Sequence, residues 1–567
     1  MDRRDEIARH GLTFADGFAT ASRIGRERPW IVAILLGLLT FLVFLPAVSC
    51  DFVNWDDDAY VYGNRWVLQG LTADGIAAAF TRPCVGNWAP LTMLSYELDA
   101  TLYGRRAAGF HLTNVLLHAG ATGILFVALA RMTQAPGLTA AAVLLFAVHP
   151  LRVESVAWVA ERKDVLCVFL LALALLAYER YCQHPGIGRF AVVMACMLAG
   201  LLAKATLVTL PMLLLLLDVW PLGRLRWGCR GRGLHAPGTL AADLRRVLLE
   251  KLPLVVLAAV FAVVTIQTQT ALSTGSVALP LWKVRVPTAV HSLSAYLYDT
   301  AIPWHLCPTH PHPGMAGVPV AALTGSMIGL GMVAAVTVIA CRWTMAVPVG
   351  VMWFVVAIAP TLGLIQVPGL QARNDRYTYV PHIGLMLAVV WGADALVRRM
   401  GWNPRVAVVG LVATIVAAVA IDRFQIGIWK DSQTLWSHVL ALEPDDNLAH
   451  CNMGVALLEK GRVDEAHGHF VRSLAIKETE RAHSWMGLIL SGQGRPEEAI
   501  AEYRAGLSLD PASIETHTNL GIALATQGRL AEALPHFERA CEIDPTDDES
   551  RANLDRARRE LGISRGP

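Results

Sequence analysis

The sequence is poor in charge. Only 17% of its 567 residues are Asp, Glu, Lys or Arg, whereas 54% are hydrophobic, and the mean hydropathy is +0.45. A soluble protein of this length would need far more charged surface. The scarcity of charge therefore excludes an ordinary soluble protein and predicts a polytopic membrane protein.

Several familiar motifs are absent from the sequence as well. The ten cysteines stand singly, with no Cys-x-x-Cys pair, which argues against a zinc module or a disulfide framework. There is no phosphate-cradling glycine loop, nucleophile elbow, His-Glu-x-x-His motif or nucleic-acid-binding stripe. The His- and Pro-rich stretch 305–314 is interpreted as a loop, because its prolines break any regular ligand geometry. Any chemistry must then use carboxylates and cations near a membrane.

Long apolar runs are abundant. A helix needs about 20 mainly apolar residues to cross a bilayer. By this measure the chain contains eleven predicted spans, near residues 30–48, 112–131, 137–150, 163–182, 189–204, 205–220, 252–270, 320–341, 346–366, 381–398 and 405–422. The Arg-rich segment 1–29 lacks a small-residue cleavage site and is predicted to be a cytoplasmic tail before a transmembrane domain at 30–423.

The positions of Lys and Arg predict the orientation of these spans. Basic loops stay on the cytoplasmic side, and the strongest of them is 221–251. With that loop and the N-terminus inside, the loops 49–111, 149–162, 271–319 and 367–380 are expected outside. Everything after residue 423 is expected on the same outer side.

The composition changes near residue 430. Residues 432–567 carry 22 acidic and 14 basic residues, against 24 and 34 in the rest of the chain. Three segments in this part match one another at spacings of 33 and 34 residues: 449–466, 482–499 and 516–533. This is the tetratricopeptide pattern. It predicts an α-solenoid with repeats near 447–480, 481–514 and 515–548 and a capping helix at 549–562.

Such a solenoid has two expected uses. Stacked repeats bury a continuous core and offer an extended binding surface, so the domain is expected to form a groove for a peptide or a protein. The alternative is a spacer or an oligomerisation arm.

Three adjacent aspartates follow the first span in FVNWDDDAYV (52–61): Asp56, Asp57 and Asp58. They can be a solvated loop cap, a cation site, or a general base that deprotonates an acceptor hydroxyl. Adjacent carboxylates repel one another, which raises the pKa of at least one and suits a proton acceptor or a bound cation. The residues alone leave these alternatives open.

The same outer loop contains an expected interfacial helix, NWAPLTMLSYELDATLYG (87–104). Helical spacing puts its Trp and Leu side chains on one face and leaves Glu97 and Asp99 away from that face. His111 and His118 share a face of the following span. These two histidines are expected either to pack as polar groups inside the bundle or to orient the acidic loop, which lies next to them.

Two more outer segments are rich in ionisable groups. In HPLRVESVAWVAERKD (149–164), helical spacing places Glu154, Trp158 and Glu161 or Arg162 on one side, which suits a phosphate or a sugar; mutual salt bridges are the alternative. In GLQARNDRYTYVP (369–381), Arg373 and Arg376 offer forked donors that match phosphate geometry. Lys204, between two spans, is expected to add a positive contact.

The chain resembles the bacterial relatives of the transmembrane tetratricopeptide-containing O-mannosyltransferases, in the GT-C glycosyltransferase superfamily. The resemblance rests on six linked segments followed by the repeats: FVNWDDDAYV, NWAPLTMLSYELD, FHLTNVLLH, HPLRVESVAWVAERKDVL, LLAKATLVTLPMLLLLLDVWPLGR and RNDRYTYVP. It implies an all-α fold, a polytopic GT-C-like bundle of about 11 spans followed by the solenoid. It also implies a bacterial inner membrane with the solenoid periplasmic.

The resemblance further implies an activity. A glycosyltransferase of this kind moves a hexose, such as mannose, from a polyprenyl-phosphate donor to Ser or Thr hydroxyls of proteins at the outer face. No metal is assigned, because such enzymes do not clearly depend on one. An Asp would take the hydroxyl proton while cations stabilise the departing lipid phosphate, and one such displacement inverts the anomeric centre. The protein acceptor would bind through the solenoid groove.

The family motifs map onto residues of this chain. Asp56 or Asp57 corresponds to the catalytic acidic residue, His149 and Glu154 to the His-Pro-x-x-x-Glu segment. Arg376 and Tyr377 correspond to the Arg-Tyr segment. With the charges noted above, the predicted site comprises the catalytic residues Asp56 and Asp57, the donor or lipid-phosphate contacts Arg162, Lys163, Lys204, Arg373, Arg376 and Tyr377, and the supporting residues His149, Glu154, Asp99 and His111.

One segment departs from the family pattern. Where bacterial relatives read NWHPLTWLSH, this chain has Ala89 and Tyr96 in place of the two histidines. If either histidine contributes to catalysis or donor binding, an altered substrate or impaired activity is expected. Two other functions remain as alternatives: an oligosaccharide ligase or polymerase of the cell envelope, and a non-catalytic membrane scaffold. A scaffold, however, has no use for acidic and Arg clusters confined to one side of the membrane.

Overall fold

The computed structural model describes residues 27–225, 239–270, 279–364 and 371–563. The predicted tail 1–29 therefore lies almost wholly outside the described residues, as does the centre of the basic loop 221–251. The chain divides into two compact units, Met1–Asp431 and Ser432–Pro567.

The first unit is built mainly from helices. Its helices are α1 (Pro29–Phe44), α2 (Arg65–Leu68), α3 (Ala73–Thr81), α4 (Pro90–Tyr103), α5 (Ala107–Thr133), α6 (Pro136–Ala147), α7 (Val153–Ala157), α8 (Arg162–Gln183), α9 (Ile187–Ala203), α10 (Leu210–Val219), α11 (Thr239–Thr270), α12 (Val286–Ala301), α13 (Val320–Ala340), α14 (Ala346–Ile358), α15 (Pro381–Met400) and α16 (Pro404–Ile428). Two short strands, β1 (His310–Pro311) and β2 (Gln371–Arg373), pair antiparallel.

Every predicted span coincides with a helix in the described part of the chain. Six helices there are long and apolar enough to cross a membrane, and a seventh is counted if α6 and the bent segment Pro150–Ala157 form one span with a 59° bend. Three further apolar helices are shorter: Ile187–Ala203, Ala205–Val219 and Ala346–Thr361. The chain is thus a polytopic membrane protein, and the number of eleven spans stays a prediction.

The first span is held against the second by two glycines. A Cβ on Gly37 would lie 3.1 Å from the backbone oxygen of Ala119, and a Cβ on Gly123 would lie 3.1 Å from that of Ala33. Small residues at such a crossing let two helix backbones approach closely, which is how membrane helices pack when lipid gives no hydrophobic driving force. This contact positions the loop that follows α1, where the aspartates lie.

Three segments differ from the expectation. Residues 149–164 are not one helix, because the turns Pro150–Arg152 and Val159–Glu161 flank α7 and Trp158 is extended between them. The expected outer loop 271–319 contains α12, whose Tyr296 is fully buried. Helix α11 begins at Thr239, inside the expected basic loop, because residues 239–252 are mostly good helix formers.

The second unit is a stack of helix pairs. Its helices are α17 (Ser432–Leu442), α18 (Asn447–Glu459), α19 (Val463–Ile476), α20 (Glu480–Gly492), α21 (Pro496–Leu509), α22 (Ile514–Thr526), α23 (Leu530–Ile543) and α24 (Asp548–Glu560). A Cβ on Gly487, in the first helix of a pair, would lie 2.6 Å from the Tyr503 ring in the second, so only glycine lets this pair close. Gly454 and Gly521 meet Phe470 and Phe537 in the same way. The predicted fold class, an all-α membrane bundle followed by a solenoid, is confirmed.

Candidate active site

Asp57 is an anchor inside the protein. Its carboxylate is fully buried and accepts hydrogen bonds from the backbone N–H of Val53 at 3.0 Å and of Ala160 at 2.8 Å. Burial raises the pKa of Asp57 well above its usual range, and these two amide donors oppose that rise. The side chain ties the loop after α1 to the turn Val159–Glu161.

Asp56 differs from its neighbour in backbone and surroundings. Its φ is +62°, a left-handed conformation that costs a non-glycine residue on the order of 1 kcal/mol and that Asp adopts more readily than most. The turn sends the carboxylates of Asp56 and Asp57 to different surroundings. Among the described residues, no hydrogen bond or ion pair reaches the Asp56 carboxylate. Burial raises the pKa of Asp56, and the positive charges of Lys163 and Arg376 oppose the rise.

Glu161 is the centre of a buried charge cluster. Its carboxylate lies 3.1 Å from Lys163 Nζ, 3.2 Å from Lys204 Nζ and 3.0 Å from Arg376 Nε. Lys204 also pairs with Asp164 at 2.7 Å. The side chains of the three cations are only 9–13% exposed, so their paired carboxylates hold each of them in place.

Arg376 joins this cluster to a second element. Its Nη1 lies 2.5 Å from Glu154 Oε1 and its backbone N–H donates to Glu154 Oε2 at 2.9 Å. The guanidinium also lies over the rings of Trp158 and Tyr377, at 5.1 and 5.3 Å. Glu154, Trp158 and Glu161 therefore all contact Arg376, although the segment 149–164 is not one helix. Its ionisable groups form salt bridges, as the alternative hypothesis stated.

Arg162 lies apart from the cluster. It is fully buried, contacts Asp99 at 2.5 Å and donates to Asn114 Oδ1 at 2.8 Å and to the carbonyl of Phe110 at 2.7 Å. Thr113 donates to Asp99 at 2.8 Å. These contacts join α4 to α5 and α8.

The other predicted residues surround the cluster at different distances. His111 Nε2 donates to the carbonyl of Asp51 at 3.3 Å, so it does contact the acidic loop. His149 Nε2 donates to the carbonyl of Thr300 at 3.0 Å and thereby binds α12. Arg373 pairs with Asp299 of α12. Of the predicted set, the structure brings together Asp56, Lys163, Lys204, Glu154, Arg376 and Tyr377.

Helix α4 separates its two kinds of side chain as expected. Leu98 is 46% exposed, whereas Glu97 and Asp99 are buried against the protein. Burial raises the pKa of Glu97 to about 7. Ala89 is buried too, and Tyr96 donates from its hydroxyl to the carbonyl of Val159 at 2.8 Å. The two positions that depart from the family pattern are thus occupied by packed side chains.

The sequence did not predict two features of the site, the pairing of Glu161 and Asp164 and a stack of three tryptophans. Glu161 and Asp164 were visible as charges, but their role as partners of three cations depends on the fold. Trp55, Trp158 and Trp429 form a stack beside Arg376, and no pattern in the sequence indicates that these three rings meet. Among the described residues, no group of three or more His, Cys, Asp or Glu side chains is arranged to hold a metal ion.

Comparison with known proteins finds one matching family model and several similar proteins. Residues 486–548 match the family model of the tetratricopeptide repeat. The protein O-mannosyl-transferase Tmtc1 of Drosophila melanogaster is 33% identical over 195 residues, which are 33% of this chain and 22% of that protein. The protein O-mannosyl-transferase TMTC4 of Homo sapiens is 31% identical over 172 residues, 26% of this chain and 23% of that protein.

Over the matched segments, the chain is similar in sequence to these protein O-mannosyl-transferases. The matched segments span less than a quarter of the length of these two relatives. Among solved structures, ArnT from Cupriavidus metallidurans bound to undecaprenyl phosphate is similar with a TM-score of 0.32 and 16% identity, over 84% of this chain and 79% of that chain. YrrB, described as a tetratricopeptide protein with an unusual peptide-binding site, has a TM-score of 0.21 and 22% identity, over 23% of this chain and 69% of that chain.

Proposed function

We propose that the protein is an integral-membrane glycosyltransferase. It moves a hexose, such as mannose, from a polyprenyl-phosphate donor to a Ser or Thr hydroxyl of a protein on the outer face, with inversion. The observation that carries the proposal is the Asp56 carboxylate, which sits on a strained turn beside Lys163 and Arg376 and has no hydrogen-bond partner among the described residues. The homology to protein O-mannosyl-transferases supports the sugar-transfer chemistry.

Asp56 is the general base in this mechanism. Burial raises the pKa of Asp56 toward neutral pH, and a general base works best when its pKa lies near the operating pH. The acceptor oxygen forms a bond to the anomeric carbon while the bond from that carbon to the phosphate oxygen breaks. The hydroxyl proton goes to Asp56, and the bonding electron pair leaves with the polyprenyl phosphate.

The departing phosphate is stabilised by the cluster around Glu161. Lys163, Lys204 and Arg376 are fixed by carboxylates before the reaction, so no reorganisation is needed when negative charge develops. Arg376 offers a forked donor, which suits a phosphate better than a point charge does. Glu154 keeps that fork in place.

Other predicted site residues act through the scaffold. Asp57 anchors the catalytic loop, and His111 holds the same loop at Asp51. Arg162 and Asp99 bind α4 to the bundle. His149 and Arg373 hold α12 near the Arg376 segment. None of these needs to touch the sugar.

The solenoid presents the acceptor in this proposal. Leu488 and Ile522 hold equivalent positions in the first helices of two successive repeats, and they are 43% and 37% exposed. Aliphatic side chains that recur at the repeat spacing form a stripe suited to an unstructured, weakly charged segment of a protein acceptor.

The test uses membranes that contain the full chain, with tritiated mannosyl-phosphoryl-polyprenol as donor and a Ser/Thr-rich peptide as acceptor. Asp56→Asn should reduce label transfer at least about 100-fold, because a neutral amide cannot take the proton. Asp58→Asn is the matched control and should keep transfer at neutral pH. Transfer by Asp56→Asn at the wild-type rate would overturn the assignment.

A further inference from the structure

Three tryptophans stack beside the candidate catalytic loop. The Trp55 and Trp158 rings are 4.4 Å apart with an interplanar angle of 22°, and the Trp429 ring lies 5.5 Å from Trp158 and 6.2 Å from Trp55, nearly parallel to the latter at 4°. The Trp158 indole N–H donates to the carbonyl of Trp55 at 2.8 Å. All three rings are at least nine-tenths buried, so they pack against one another instead of offering a face to a sugar.

Trp429 belongs to a segment far away in sequence. It follows the end of α16, and the next residue, Lys430, accepts a hydrogen bond at its carbonyl from the backbone N–H of Asp51 at 2.9 Å. Cys50 Sγ lies 3.7 Å from the carbonyl of Ile426, which it contacts as a donor. The end of α16 therefore runs along the start of the loop that carries the aspartates.

The stack contacts both halves of the proposed machinery. Trp55 directly precedes Asp56 on the strained turn, and the Arg376 guanidinium lies over Trp55 at 5.7 Å and over Trp158 at 5.1 Å. Removal of the Trp429 ring leaves one side of Trp55 without its packing partner. Trp55 would then shift, and Asp56 and Arg376 would shift with it.

We propose that Trp429 is a positioning residue that fixes Asp56 relative to Arg376 and Lys163. The inference rests on the proposed function for its kinetic consequence, whereas the placement of the loop can be measured without any activity. A displacement of about 1 Å in a reacting group can cost 100-fold in rate, so a lost ring should lower kcat by about 10- to 100-fold. The acid limb of the pH–rate profile should also move to higher pH, because cations farther from Asp56 oppose its raised pKa less.

The experiment compares Trp429→Leu and Trp429→Phe in the full-length protein with a control, Trp391→Leu. Trp391, in α15, also packs its ring against a tryptophan, with the Trp220 ring 5.3 Å away. Hydrogen exchange of the backbone amides in residues 51–60 is followed for each variant. The kcat and its pH profile are then measured with tritiated mannosyl-phosphoryl-polyprenol and a Ser/Thr-rich peptide.

Trp429→Leu is expected to speed exchange in residues 51–60 on the order of tenfold, lower kcat and move the acid limb, while Trp429→Phe restores most of each property. Trp391→Leu should change none of them. Unchanged exchange and an unchanged acid limb in Trp429→Leu would overturn the inference. Faster exchange in a protein whose wild type transfers no sugar would support the positioning role and refute the proposed function.

Discussion

At the residue scale, the neighbouring carboxylates of Asp56 and Asp57 have different surroundings. Asp57 is fully buried with two amide donors, whereas Asp56 faces cations from a turn with positive φ. The sequence suggested both as catalytic candidates, because adjacency alone cannot say which side chain turns inward. Their surroundings predict that substitution of Asp57 lowers stability, whereas substitution of Asp56 lowers activity.

Asp57→Asn should destabilise the protein by about 1–3 kcal/mol, because an amide can accept from only one of the two buried N–H groups through its single oxygen. Asp56→Asn should leave stability unchanged, since Asn adopts the left-handed conformation as readily. Thermal unfolding of the detergent-solubilised full chain measures both. Equal loss of stability in the two variants would show that the carboxylates are equivalent anchors.

The pH dependence of transfer should follow the charges that face Asp56. The base works when deprotonated, so activity is lost as pH falls through its pKa. Lys163 lowers that pKa and Asp58 raises it. Lys163→Gln should therefore move the acid limb to higher pH, and Asp58→Asn should move it to lower pH. Profiles of kcat for the two variants, measured with the tritiated donor, check these signs; shifts in one common direction would remove Asp56 as the titrating group.

At the scale of elements, the sequence predicts helices well where one period dominates. The apolar runs locate the spans, and the 33- to 34-residue repeat locates the helix pairs. The break of residues 149–164 at Trp158 could not be foreseen, because the extended residue is held by contacts from distant segments such as Trp55. Helix α12 was missed for a related reason, since its inward face carries Tyr296, Ser292 and Asp299 and lacks a continuous apolar run.

At the candidate site, the sequence likewise predicts some features and not others. The ionisable residues could be selected from sequence because charges are rare in this chain. Their pairing could not, because Glu161 binds Arg376 from more than two hundred positions away. Trp429 carried no charge and no motif, so its contact with Trp55 emerges only from the fold.

The helix pairs of the solenoid should respond to glycine substitutions with opposite signs. Gly487→Ala should loosen its pair, because the added Cβ meets the Tyr503 ring. Gly468→Ala should stabilise its helix by about 1 kcal/mol, because nothing lies near the added Cβ and alanine favours the helix. Hydrogen exchange of helices α18 to α23 in the full chain measures both. Equal protection in the two variants would contradict the close pairing.

At the scale of the whole molecule, we propose that transfer and acceptor recruitment are separate tasks of the two units. The Leu488 and Ile522 stripe belongs to the second unit, and the charge cluster belongs to the first. A membrane enzyme with an attached solenoid can thus gain acceptor selectivity without any change at its catalytic residues.

Leu488→Glu combined with Ile522→Glu should reduce glycosylation of protein acceptors about tenfold, because charge in the apolar stripe opposes docking. Transfer to a short Ser/Thr peptide should be unaffected. Leu509→Glu, at another exposed leucine of the same unit, serves as the control. The two acceptors are compared in the same membranes. Parallel loss with both acceptors would show that the stripe serves folding and not recruitment.

The central claim is that Asp56 drives transfer of a hexose to hydroxyl groups of proteins. Mass spectrometry of outer-compartment proteins tests it most directly, in cells that express the wild type, Asp56→Asn or Asp58→Asn at equal membrane levels. We predict hexose on Ser or Thr residues with the wild type and Asp58→Asn, and its loss with Asp56→Asn. The same modified peptides in all three strains would contradict the account.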